Sequence, residues 1–119
     1  MSNRVYIKMD ELTVETSEFL KILSDPFKLE IVKYLKKSGK TAKEIETTLN
    51  ISQSYTSQQL KQLERSDIIF HEKKNGLKYY HIKNRNIHRV ISAINSYIIE
   101  QHKNKFHKLT GSNNLDILK

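Results

Sequence analysis

The chain of 119 residues contains no cysteine, which excludes disulfides, thiolate metal sites and thiol redox switches. Three glycines and one proline are too few turn-formers for a β-sandwich and favour helices. No long apolar run occurs, and the N-terminal MSNRVYIKMDEL lacks the uninterrupted hydrophobic stretch of a signal peptide. A soluble, cytoplasmic protein with no membrane partner is therefore expected. Catalytic motifs are also missing: there is no Gly-rich phosphate loop, no metal-ligand cluster and no defensible Ser/His/Asp arrangement. The chain does not read as an enzyme, and neither a catalytic residue nor a cofactor is expected.

Positive charge is plentiful. The net charge is +8 and the isoelectric point is near 9.6, a balance common among nucleic-acid binders and shared by other proteins. Its distribution says more than its sum. Of the thirteen carboxylates, six (Asp10, Glu11, Glu15, Glu18, Asp25 and Glu30) lie by residue 30, and none falls in 47–63 or 73–99. The second stretch holds Lys73, Lys74, Lys78, Lys83, Arg85 and Arg89. Solvated surfaces usually mix signs, whereas a phosphate-facing surface requires this kind of acid-free run.

The length fits one domain with a single modest core. A first helix is expected over 14–23, with Phe19, Leu20, Ile22 and Leu23 on its apolar side. Asp25 is a natural N-cap and Pro26 a natural first residue for a second helix. That helix should run to about Lys37, with Phe27, Ile31 and Leu35 on one face and Gly39 as its left-handed cap. Thr41 and Glu44 form a capping box for a short third helix.

Residues 51–65, ISQSYTSQQLKQLER, are the most informative stretch. Ser52 is an N-cap type, and Thr56, Leu60 and Leu63 give one narrow stripe for core packing. Gln53, Ser54, Tyr55, Ser57, Gln58, Lys61 and Gln62 can hydrogen-bond base edges or phosphates, with no carboxylate among them to repel a polyanion. Tyr55, in the first turn beside Ser54, is read as facing the nucleic acid. Next come two β-type runs, Ile68–Phe70 and Lys78–Lys83, joined through Asn75-Gly76, whose residues both tolerate positive φ. They predict a hairpin with a basic tip. Of Tyr79 and Tyr80, one is expected to pack on the core. Asn86 is a candidate cap for a last helix over roughly 86–107, with Ile87, Val90, Ile91, Ile94, Tyr97, Ile98 and Ile99 as a band wide enough to need a covering partner.

This order of elements is that of a winged helix-turn-helix, and the residues resemble one family, the arsenic-repressor-type (ArsR) transcriptional regulators. LKILSDPFKLEIVKYL is similar to its "ALSDPTRLRILRLL" opening, ISQSYTSQQLKQLERSDII to its "LSQSTVSHHLKVLREAGLV" recognition segment, and KKNGLKYYHI to its wing. The resemblance covers roughly residues 19–83. It implies a mainly α fold with a small β-hairpin, order α-α-α-α-β-β-α, in a dimer. Residues 13–108 would be the DNA-binding and dimerisation domain, between an N-terminal extension (1–12) and a flexible C-terminal tail (109–119). It places Ser52, Gln53, Ser54, Tyr55, Ser57, Gln58 and Lys61 on the recognition helix, and Thr41, Lys43, Lys73, Lys74, Asn75 and Lys78 at the DNA backbone and wing. Phe19, Ile87, Ile91, Ile94 and Ile98 fall at the dimer interface.

Departures from the family pattern matter too. Where many members carry a metal-sensing Cys-Val-Cys, this chain has Thr41, Ala42 and Lys43. Where others carry Asp-x-His and a later His-x-x-Glu, it has Asn86-x-His88, then Ile99 and His102. His88 and His102 stand roughly 21 Å apart along a helix and cannot share an ion within one subunit. Nothing in the spacing requires an intersubunit site with His107 or Glu100, so no metal is expected. A small-molecule or ion effector is left open by the sequence, which indicates none. The expected function is that of a homodimeric regulator, a repressor that binds double-stranded DNA at an inverted repeat through helix 52–65 and wing 71–80. The alternative is a winged-helix module for protein or RNA contact, in which the recognition face would lose its polar and basic character.

Overall fold

The structure, a computed structural model, describes the backbone of residues 3–110 and side chains from Asp10 to Lys105. The elements are α1 (Asn3–Leu23), α2 (Pro26–Tyr34), α3 (Ala42–Leu49), α4 (Gln53–Arg65), β1 (Ile69–Lys74), β2 (Leu77–Ile82) and α5 (Asn86–Thr110). This is the expected winged helix-turn-helix order. Residues up to Asn84 form one unit and α5 begins a second; residues 111–119 of the expected tail lie outside the described residues.

The first helix reaches back to Asn3 rather than starting at residue 14. Residues 3–13 contain neither Pro nor Gly, so nothing in them stops a helix. Thr16 and Ser17 turn their hydroxyls onto the carbonyls of Leu12 and Val14, at 2.8 and 2.9 Å, so they do not interrupt it. Leu23 is buried, while Leu12, Val14 and Leu20 are exposed.

α2 starts as expected: the Phe27 N–H donates to Asp25 Oδ1 at 2.8 Å, and Pro26 occupies the first turn. Lys28 is buried with its Nζ 3.4 Å from Asp25 Oδ2. Burial alone would raise the Asp25 carboxyl, but the Phe27 N–H and the Lys28 ammonium outweigh it and hold the group below its ordinary value. The helix ends at Tyr34, short of Lys37, where Leu35 and Lys36 donate to Ile31 and Lys33. Gly39 does not cap it, since its φ is not positive. Instead Lys40 exchanges backbone hydrogen bonds with Tyr80, at 3.1 and 2.8 Å. A Cβ on Gly39 would stand 2.3 Å from His81 Cε1, so glycine there permits close approach to the hairpin.

The Thr41–Glu44 capping box forms in both directions, at 3.2 and 2.9 Å. Asn50, left-handed at φ 55, ends α3. Ile31, Val32, Leu35, Ile45, Thr56, Leu60, Leu63, Ile68, Ile69, Tyr80 and Ile82 are buried in this unit; truncating a buried leucine such as Leu63 to alanine costs about 2–5 kcal/mol. Phe27, assigned to the core stripe of α2, is 39% exposed.

The hairpin turns at Asn75 and Gly76, at φ 54 and 79, the geometry that matches strand twist. Its register pairs Ile69 with Ile82, His71 with Tyr80, and Lys73 with Lys78. Of the two tyrosines Tyr80 is the buried one. Its phenol is pushed up, first by burial and then by the Glu64 carboxylate. β1 starts one residue later than expected. Asp67, at φ 63, turns the chain, and the Ile68 carbonyl accepts from the Lys83 N–H at 3.0 Å.

In α5, Asn86 is the first helical residue rather than the cap before it, and the helix continues to Thr110. Ile87 and Ile91 are buried at 8% and 7% exposure, while Val90, Ile94, Tyr97, Ile98 and Ile99 are exposed.

Candidate nucleic-acid interface

α3, the turn at Asn50–Ser52 and α4 make the helix-turn-helix. Ser52 sets the start of α4: its Oγ accepts from the Tyr55 N–H at 3.1 Å. The Ser52 carbonyl accepts from the Thr56 hydroxyl at 2.8 Å, so fully buried Thr56 is satisfied. Thr56, Gln59, Leu60 and Leu63 then face inward. The opposite side carries Gln53, Ser54, Ser57, Gln58 and Lys61, all exposed, at spacings that share one helical face. Such a face offers amide and hydroxyl groups of both donor and acceptor type, plus one cation, with no carboxylate.

Two of the expected contact residues also make contacts within the chain. Thr41 is half-buried, with its hydroxyl inside the capping box. Tyr55 is half-buried, its ring meeting Phe27 edge-on at 5.5 Å between centroids and 86° between planes. Lys43 is exposed.

On the wing, Lys73, Lys74, Asn75 and Lys78 are all exposed. Lys73 and Lys78 stand directly across the ladder from each other, an arrangement that repels. The carboxylates nearby are otherwise engaged. Glu64 Oε2 lies 2.5 Å from His71 Nδ1, Glu72 Oε2 lies 3.2 Å from His81 Nε2, and Asp67 Oδ1 accepts from Lys83 at 2.8 Å. Among the described residues, Lys43, Lys61, Lys73, Lys74 and Lys78 therefore make no ion pair. The Glu64–His71 contact also ties the last turn of α4 to the base of the wing.

Of the residues expected at a dimer seam, Ile94 and Ile98 are exposed, Phe19 is half-buried, and Ile87 and Ile91 are buried. The His107 side chain is outside the described residues. Among those described, no helix is long and apolar enough to cross a membrane.

Sequence reasoning missed Gln59, which is only 5% exposed. The signal was present, since Gln59 lies three residues after Thr56 and four before Leu63, on the stripe itself. Lys28 was missed in the same way, three residues before Ile31. The Phe27–Tyr55 contact leaves no trace in local spacing.

Residues 25–69 match the model of the arsR family of bacterial regulatory proteins. Similar solved structures include the transcriptional repressor BigR from Xylella fastidiosa. It is 26% identical, at TM-score 0.66 over 82% of this chain and 97% of its own. The transcriptional regulator HlyU from Vibrio vulnificus is 24% identical, at TM-score 0.65 over 77% and 96%. The homodimeric winged helix-turn-helix DNA-binding domain Mb0332 from Mycobacterium bovis is 17% identical, at TM-score 0.70 over 87% and 93%. No curated protein matches the chain in sequence. The order of its elements makes this chain a winged helix-turn-helix without cysteine, and its segment 25–69 is similar to the arsR family of bacterial regulatory proteins.

Proposed function

We propose that the chain is a homodimeric transcription regulator that binds double-stranded DNA sequence-specifically and acts as a repressor at an inverted-repeat operator. Two copies of α4 dock in successive major grooves, one helical turn apart. Gln58 and Gln53 pair with base edges, as glutamine does with adenine N6 and N7; Ser54, Ser57 and Lys61 reach bases or phosphates beside them. Lys73, Lys74, Asn75 and Lys78 follow flanking phosphates, with Lys43 at the backbone near α3. The seam between subunits uses the exposed α5 stripe that includes Ile94 and Ile98.

The observation that carries this reading is the acid-free outer face of α4 together with a wing whose lysines lack counterions. A polyanion supplies both hydrogen-bonding partners and neutralising charge, and it does so without a base-specific requirement on the wing. The similarity to solved structures named as a repressor, a regulator and a homodimeric DNA-binding domain supports the same assignment.

The test is a fluorescence-anisotropy titration against duplex DNA from the protein's own promoter and a scrambled duplex, at two salt concentrations. Tighter binding to the promoter, two subunits per duplex and a steep fall with salt are expected. Equal, weak binding to both duplexes would reduce the link with nucleic acid to charge alone.

A further inference from the structure

We infer that Phe27, on α2, is a specificity-determining residue: it fixes the Tyr55 ring so that the phenol hydroxyl is presented to a base edge as an oriented group. This rests on the DNA-binding reading above. Phe27 is the second residue of α2 and is 39% exposed, so its ring lies at the surface edge of the unit rather than in its core. Its ring meets Tyr55 at 5.5 Å and 86°, inside the range of a favourable edge-to-face pair.

Both partners are pinned from below. Phe27 is the residue whose N–H the Asp25 cap receives, at 2.8 Å, and Tyr55 the residue whose N–H the Ser52 cap receives, at 3.1 Å. Pro26 restricts the backbone just ahead of Phe27. Two helix starts, set by separate caps, thereby bring two rings into one fixed contact. A tyrosine has only two side-chain torsions, and an edge-to-face neighbour favours the ring position that keeps the contact. The Tyr55 hydroxyl hydrogen-bonds to nothing among the described residues. It retains one donor and its acceptor capacity for a ligand. Its flanking residues Ser54 and Gln58 are exposed, so the half-buried ring stands at the border between the packed side of α4 and the side assigned to DNA. A hydroxyl held at that border reads one position in the groove; a swinging one would bind many sequences alike.

The wild-type chain is used to select duplexes from a randomised double-stranded pool. Dissociation constants are then measured for the selected duplex and its single-base variants. Tyr55→Phe, which keeps the ring and removes the hydroxyl, should flatten the preference at one base pair by about tenfold, the loss of a single readout contact. Phe27→Ala should flatten the same base pair and add nothing in the Tyr55→Phe background, while Phe27→Tyr, which keeps a ring edge, should preserve it. If Phe27→Ala weakens all duplexes equally, or its effect adds to that of Tyr55→Phe, Phe27 only packs and the inference falls. If the wild type selects no sequence, the DNA reading itself falls, before any variant is compared.

Discussion

Gly39 and Asp25 show how single residues set the geometry of this chain. The His81 ring that Gly39 approaches is not free to swing away. Phe70 stacks on it at 5.2 Å and 23°, and Glu72 reaches its Nε2. A methyl group at 39 therefore forces either the ring or the Lys40–Tyr80 bridge to shift. Gly39→Ala should cost about 1–3 kcal/mol of stability, the usual cost of overpacking. Urea unfolding should show that cost disappearing when His81→Ala removes the ring. An equal cost in both backgrounds would point to the backbone instead. Asp25 combines a cap with the counter-charge of a buried ammonium. Asp25→Ala should cost about 2–4 kcal/mol: about 1 for the cap and about 1–3 for stranding Lys28. Because the carboxyl is held below its ordinary 3.8, its contribution is complete above that value and is lost as pH falls through the lower folded value. Stability measured down through that range should fall less steeply in Asp25→Asn, which caps but does not titrate.

Different elements of the interface should answer differently to mutation. Gln58→Ala on α4 should cost about 1–3 kcal/mol at one base position and little elsewhere. Lys74→Ala on the wing should weaken all sequences alike and reduce the salt slope by about 1. Anisotropy against single-base variants at several salt concentrations separates the two, and the reverse pattern would refute the docking. The elements that could be read from the sequence are those set by local chemistry. The Thr41–Glu44 box, the Ser52 cap and the Asn75-Gly76 turn each lie within a few residues, and each forms. The ends of α1 and α2 could not be read in that way. α1 has no start signal near residue 14 because it is already helical there. α2 stops at Tyr34 before reaching Gly39, whose glycine answers to His81 in a distant strand. On α4 the polar face was readable as a set. Its division into exposed Gln58 and buried Gln59 follows from the spacing of Thr56 and Leu63, whereas the restraint on Tyr55 comes from packing against α2, which local spacing does not report.

For the molecule as a whole, the dimer is the arrangement most directly open to test. Ile94 is exposed on α5, so Ile94→Glu should leave the folded chain stable while placing a charge in the proposed seam. Light scattering should then report monomers, and operator affinity should fall because the two half-sites no longer share one binder. A dimer with unchanged melting temperature would remove that stripe from the seam. The pairing of Lys73 with Lys78 reaches further than the hairpin in which it sits. In the free protein those two ammoniums oppose the ladder that holds them, and added salt relieves the opposition by screening. In the proposed complex with a duplex, phosphate would neutralise the same charges, and added salt would compete with that neutralisation. Ionic strength would thus act on the wing with opposite signs in the free and the proposed bound state: it steadies the unbound hairpin and would release the bound one. On the proposed function, the free wing is least settled in the dilute salt where its hold on DNA would be firmest, and closing on the duplex would relieve it.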